Sequence, residues 1–218
     1  MTCYRLFTRR HLDCLRLAWL VYGGPPPSLA IHLSKVRIIR AAVGGDLAGA
    51  LELARSHLAF EQAERTQAEI AADLLERWAA GAVDEVAIQP LSIGQVARLP
   101  GVSIDMVRNW DRNGLIDVPR DPASGYRRYG AAEISRLRII RMLSRSGYSI
   151  AAILRMLLQL DEGKKTDLRR ALDIPRPDED AYLASDRWLS TLAGQEQRAH
   201  TIIALLEEMM QKQVTENC

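Results

Sequence analysis

Cysteine is scarce: Cys3, Cys14 and Cys218 are the three in 218 residues, too few and too scattered for a disulfide framework. No apolar run approaches the ~20 residues that a membrane-spanning helix needs. The opening MTCYRLFTRRHLDC mixes charge with apolar residues throughout and does not read as a secretory signal. A cytoplasmic location is the expectation. His11, His32, His57 and His200 lie far apart, and Cys218 has no neighbour at ligand spacing, so neither a metal site nor a cofactor is expected. No nucleophile triad, phosphate-cradling glycine loop or paired-carboxylate site is visible, and an enzyme is not expected. Net charge is also small, at +2 from 29 basic and 27 acidic residues.

The charge is unevenly placed. Residues 90–160 hold eleven arginines against five acids, an excess of six, which leaves the remainder of the chain at −4. Concentrated positive charge is what attraction to a phosphate backbone requires. No basic amphipathic anchor stands apart from this region, which argues against a membrane partner. With 48% hydrophobic residues there is ample core for one or two domains.

Within that basic region, Leu91 to Tyr129 has a distinct layout. Ser92 precedes Ile93, Val96, Ala97 and Leu99, a capping residue before apolar positions at helical spacing. Pro100-Gly101 ends that helix. Ser103 caps the next, with Ile104, Val107 and Trp110 as its apolar stripe and Asp105, Arg108, Asn109 and Arg112 opposite. Asn113-Gly114 closes it, and Leu115 and Ile116 return to the core. Arginine and asparagine on an outward helix face suit base edges and phosphates in a major groove. From Asp117 onward Pro119, Asp121-Pro122 and Ser124-Gly125 are turn chemistry, followed by a short strand Tyr126–Tyr129. Arg120, Arg127 and Arg128 on this hairpin make a grip on phosphate.

Residues 91–160 resemble the DNA-binding domain of the MerR family of bacterial transcriptional regulators. The resemblance rests on Ile93-Gly94-Gln95-Val96-Ala97, Val107-Arg108-Asn109-Trp110-Asp111, Gly114-Leu115-Ile116 and Gly125-Tyr126-Arg127-Arg128-Tyr129. It covers about a third of the chain, and its elements occur in the family's order. It implies a winged helix-turn-helix in which Arg108 and Arg127 are the phosphate and groove contacts, with Tyr126 and Trp110 beside them. Asn109 departs from the family's aromatic. The expected DNA-contact set is Ser103, Arg108, Asn109, Trp110 and Arg112 on the second helix, with Arg120, Tyr126, Arg127 and Arg128 on the wing. The resemblance further implies double-stranded DNA as partner, RNA polymerase at the promoter, a place with the bacterial nucleoid, and activation by distorting an overlong promoter spacer. Metal-sensing members use cysteines near the start of the dimerisation helix. Residues 161–200 contain none, so thiolate coordination of a soft metal is not expected.

Beyond the wing, Ala131–Ser146 and the stretch capped by Ser149 read as helices. Residues 161–185 form a polar connector with a short helix at 167–172. The segment 186–213 reads as a last helix with Leu189, Leu192, Ala199, Ile203, Leu206 and Met210 in steps of three and four. The resemblance makes it an antiparallel coiled coil between two subunits, hence a homodimer on a palindromic element. Trp78, Tyr182 and Trp188 suit core packing better than an aromatic pocket.

The first 80 residues echo the wing and the helix after it. Tyr4-Arg5-Leu6-Phe7, Leu12 and Leu15-Arg16-Leu17 align with Tyr126-Arg127-Arg128-Tyr129, Ile134 and Leu137-Arg138-Ile139 at a constant offset of 122. Helices are expected before Pro25-Pro26-Pro27, over 29–43, and over 46–80 with Phe60, Ala63, Ile70 and Leu74 as the buried stripe. The chain is thus expected to be mainly α: a helical half-repeat without reader helices (1–80), a linker (81–90), a winged helix-turn-helix (91–160), a connector (161–185) and a dimerisation helix (186–213). A start placed late or a truncation would account for the missing helices. Two functional readings stand: a sequence-specific transcriptional regulator, and a protein-interaction module with vestigial DNA binding.

Overall fold

The computed structural model describes residues 8–23, 29–81, 89–175 and 184–216. Among them are nine α-helices and no strand: α1 Arg9–Tyr22, α2 Leu29–Gly44, α3 Leu47–Ala79, α4 Ile93–Arg98, α5 Ile104–Arg112, α6 Ala131–Arg145, α7 Ile150–Asp161, α8 Leu168–Asp173 and α9 Trp188–Glu216. A 3-10 turn at Ala184–Arg187 leads into α9. No described helix is long and apolar enough to cross a membrane. The chain divides into two compact units, one comprising 66–190 and the other 1–65 with 191–218. The divisions between them fall inside α3 and near the start of α9.

In the unit of residues 66–190, local signals and structure agree. The Gln95 side chain accepts from the Ser92 amide, Ser103 Oγ from the Met106 amide and Ser149 Oγ from the Ala152 amide, so three helix starts are capped by their own polar residues. Gly101 and Gly114 take positive φ of 64° and 74°, the left-handed exits that stop α4 and α5. Val96, Val107, Trp110, Leu115, Ile134, Leu137, Ile140 and Leu143 are buried. Arg155 is also buried. Its guanidinium donates to the carbonyls of Ala171 and Asp186 and ties α7 to the end of α8 and the 3-10 turn. Trp188 closes over Gly147, donating to the Ser146 carbonyl at 2.6 Å. It is therefore a core residue, as the sequence favoured. The C-terminal half of α3 joins this unit: the Tyr148 hydroxyl donates to the Ala68 carbonyl at 3.0 Å, and Arg169 pairs with Asp73 at 2.6 Å.

The other unit contains α1, α2, the N-terminal half of α3 and most of α9. Its core is Leu17, Val21, Ile38, Ala42, Ala50, Leu51, Ala54, Ile202, Leu206 and Met209. Helix α1 begins 122 residues before α6, the offset at which the two sequences align. The aligned residues 4–7, like Tyr182, lie outside the described residues.

The stripe expected on α3 is corrected. Phe60, Ala63, Ile70 and Leu74 are all exposed. The buried face is instead Ala50, Ala54, His57, Glu61, Ala68, Ala71 and Leu75, with Glu64 half-buried between. Those positions alternate in steps of four and three, a heptad seam built from small and polar residues. Alanine thus occupies four of the buried positions, and the bulky side chains lie outside. On α9 the buried seam is Trp188, Leu192, Gln195, Ala199, Ile202, Leu206 and Met209, again in strict four-three steps. Of the six residues expected there to face a second chain, Leu192, Ala199 and Leu206 are buried within this chain, while Leu189, Ile203 and Met210 are half-buried at the seam's edge.

Candidate nucleic-acid interface

Helix α5 and the ribbon that follows it carry the predicted contact set. Val107 and Trp110 anchor α5 inward, which turns Arg108, Asn109 and Arg112 outward, all exposed. Trp110 is 3% exposed, so its place among the contact residues is corrected: the indole packs the core beneath α5. Ile104, expected inside, is on the exposed side. Ser103 is exposed, but its hydroxyl is engaged as the α5 cap. The Asn109 carbonyl accepts from the Asn113 side chain at 2.8 Å.

The wing is a ribbon held by isolated antiparallel bridges, Arg120 with Arg127 and Leu91 with Tyr129, in place of the expected strand. Its tip is made by Asp121. The carboxylate accepts from the Ala123 and Ser124 amides at 3.0 and 2.9 Å, and Gly125 takes a φ of +70°. Those donors, Ser124 first, hold the Asp121 carboxyl below the usual carboxylate range. The tip therefore stays anionic inside an otherwise cationic ribbon and fixes Arg128, whose Nε lies 3.4 Å away.

The structure brings the two halves of the set together. Arg108, Arg120, Tyr126 and Arg127, with Ser92 and Asp111, line one cleft of about 270 Å³ between α5 and the ribbon. Tyr126 is 76% exposed at its edge. Each arginine is steadied by a neighbour: Arg108 by Asp105 at 3.1 Å, Arg127 by Asp111 at 2.7 Å, and Arg120 by the Gly125 carbonyl at 3.1 Å. The Arg108 pair is open to solvent, so exchanging Asp105 for a phosphate costs little. Arg127 and Asp111 are partly buried, which makes that pair a brace between wing and recognition helix.

Sequence reasoning named Asp105, Asp111 and Asp121 but assigned none of them the role of orienting these guanidiniums. The Asp-Pro-Ala-Ser-Gly tip was the available signal for Asp121. It also missed Tyr129, whose buried hydroxyl has no partner beneath the cleft and whose phenol burial pushes upward. Conversely, two arginines counted toward the basic region are structural. Arg136 holds Asp161 through both terminal nitrogens and the Leu115 carbonyl at 2.6 Å, and Arg155 is the buried clamp. Among the described residues no group of His, Cys, Asp and Glu is disposed to hold a metal ion.

Residues 91–160 match the family described as MerR HTH family regulatory protein. Over 76 residues the chain is 37% identical to a mercuric resistance operon regulatory protein of Serratia marcescens, covering 35% of this chain and 52% of that protein. It is 33% identical over 76 residues to a probable heavy metal-dependent transcriptional regulator of Haemophilus influenzae, covering 35% and 59%. With the HTH-type transcriptional repressor CarH of Myxococcus xanthus it shares 30% identity over 95 residues, covering 43% and 32%. The chain spans about half the length of the first of these relatives. No solved structure matches it.

Proposed function

From the MerR-family helix-turn-helix domain at residues 91–160 we propose that this chain is a sequence-specific DNA-binding transcriptional regulator. Helix α5 enters the major groove with Arg108, Asn109 and Arg112 on base edges and phosphates. Arg120, Tyr126, Arg127 and Arg128 follow the backbone from the wing. The observation that carries the reading is the shared cleft, in which recognition helix and wing present Arg108, Arg120 and Arg127 together. Three guanidiniums converging beside an exposed tyrosine suit a phosphate flanked by a sugar. On the family's plan each reader takes one half-site, and the half-sites of a palindromic element lie ~34 Å apart. It lies at a promoter, where RNA polymerase is the second partner, in the bacterial cytoplasm. The names of two relatives speak of mercury and heavy metals. Residues 161–200 of this chain lack cysteine, so the proposal does not extend to soft-metal sensing.

A second reading, a protein-interaction module, draws support from α1, where Leu12, Leu15 and Trp19 are exposed. Binding to the DNA upstream of the chain's own gene, compared at two salt concentrations, separates the two. Arg108→Ala should weaken binding by ~1–3 kcal/mol if it touches a base, or reduce the salt slope by about one if it touches a phosphate. Its melting should not change, since its partner is the exposed Asp105. Arg127→Ala should lower both affinity and melting temperature, because Asp111 is left half-buried without its brace. Full-strength binding by the Arg108→Ala, Arg127→Ala double variant refutes the DNA reading.

A further inference from the structure

Helix α9 is the element expected to join two chains, yet its seam is already covered. Along the unit built from 1–65 and 191–218, α3 and α9 run antiparallel: Arg55 pairs with Glu207 at 3.2 Å, and Arg65 with Glu196 at 2.7 Å, higher numbers on one meeting lower numbers on the other. Gln62 adds a bond to Glu196 at 3.0 Å. Ala50, Leu51 and Ala54 share one core with Ile202, Leu206 and Met209.

The pairing also carries a polar lock. Glu61 is fully buried on the α3 seam, with the His57 Nε2 at 3.6 Å one turn before it. The Gln195 amide, with its nitrogen turned to the carboxylate, donates to both Glu61 oxygens at 3.0 and 2.8 Å. Lys35, buried on α2, and Arg198 on α9 are the cations that act on Glu61. Ser34 bonds the His57 Nδ1 at 2.9 Å, so serine, histidine and glutamate stand in a nucleophile triad's order. The imidazole and carboxylate are 3% and 0% exposed, however, and burial pushes His57 down to about 4, leaving it a poor base. The cluster serves registry: a buried polar group accepts only the partner that satisfies it. In the ion pairs α3 supplies both bases and α9 both acids. The complement of α9 is therefore α3, not a second α9.

We infer that the coil is closed in cis, α3 against α9, so that each chain is a self-paired unit that engages one DNA half-site through the reader of residues 91–160. The half-site clause rests on the DNA reading above; the closed coil does not. A palindrome would then be filled by two chains with no coil between them.

The test uses the whole 218-residue chain. Sedimentation across micromolar concentrations should give 24.4 kDa throughout. Glu196→Arg should lower the melting temperature, and adding Arg65→Glu in the same chain should restore it. Duplexes selected by the chain from a random-sequence library should carry one half-site, bound with a Hill slope of one. A species of twice the mass that selects inverted repeats of fixed spacing overturns the inference. A monomer that selects no DNA upholds the closed coil and overturns the DNA reading instead.

Discussion

His57 and Glu61 should give the protein opposing pH dependences that nearly cancel, and removing either should expose the other. Burial pushes the Glu61 carboxyl from 4.5 up to about 7 and the His57 imidazole from 6.5 down to about 4. For the raised carboxyl the folded chain holds a proton that the unfolded chain releases. Its stabilising part is full below pH 4.5 and is lost as pH rises to about 7. The lowered imidazole runs the other way, full above pH 6.5 and lost as pH falls to about 4. Each displacement is worth on the order of 3 kcal/mol. From pH 4.5 to 6.5 the two slopes oppose. Relative to the parent, His57→Asn should therefore lose on the order of 3 kcal/mol as pH rises from 4 to 6.5. Glu61→Gln should gain a similar amount from 4.5 to 7. Urea unfolding followed by far-ultraviolet circular dichroism measures both, and taking differences from the parent cancels titration elsewhere. Lys35, Glu64, Gln195 and Arg198 surround the pair and are unchanged in these variants. Two variants that track the parent at a constant offset from pH 4 to 7 would refute the reasoning.

Gly147→Ala should lower the melting temperature, since the residue sits at φ +91° and a Cβ would lie 2.6–2.7 Å from the Trp188 indole. The cost expected from positive φ and overpacking is about 1–3 kcal/mol, and an unchanged melt would contradict it. Removing residues 1–80 deprives α9 of its partner and uncovers Leu192, Ala199, Ile202 and Leu206. The remaining 81–218 should self-associate in sedimentation where the full chain does not; a well-folded monomer would show that α3 is dispensable.

The reader was legible because its signals are local. Ser92, Ser103 and Ser149 are caps, Gly101 and Gly114 are left-handed exits, and each acts within a few residues of its place in the chain. The long helices were legible as helices but not by face. On α3 the bulky Phe60, Ile70 and Leu74 drew attention, whereas the buried positions are alanine at 50, 54, 68 and 71. Gln195 was passed over on α9 for the same reason: a polar residue belongs in a seam only when its partner is known, and Glu61 lies 134 positions away. Trp110 illustrates a related ambiguity, since a motif residue can be present for the core beneath a contact surface. Arg136 and Arg155 show the limit of counting charge, because formal sign says nothing about whether a guanidinium faces solvent or a carbonyl.

The discontinuity of one compact unit bears on how the protein is made. Residues 66–190 are contiguous and can take shape as soon as they leave the ribosome. The other unit needs both 1–65 and 191–218, so its helices wait through more than half of synthesis for α9. Until then Leu17, Val21 and Ile38 lack the cover of Ile202, Leu206 and Met209. Closing so distant a contact is slow and leaves apolar surface open to misassociation.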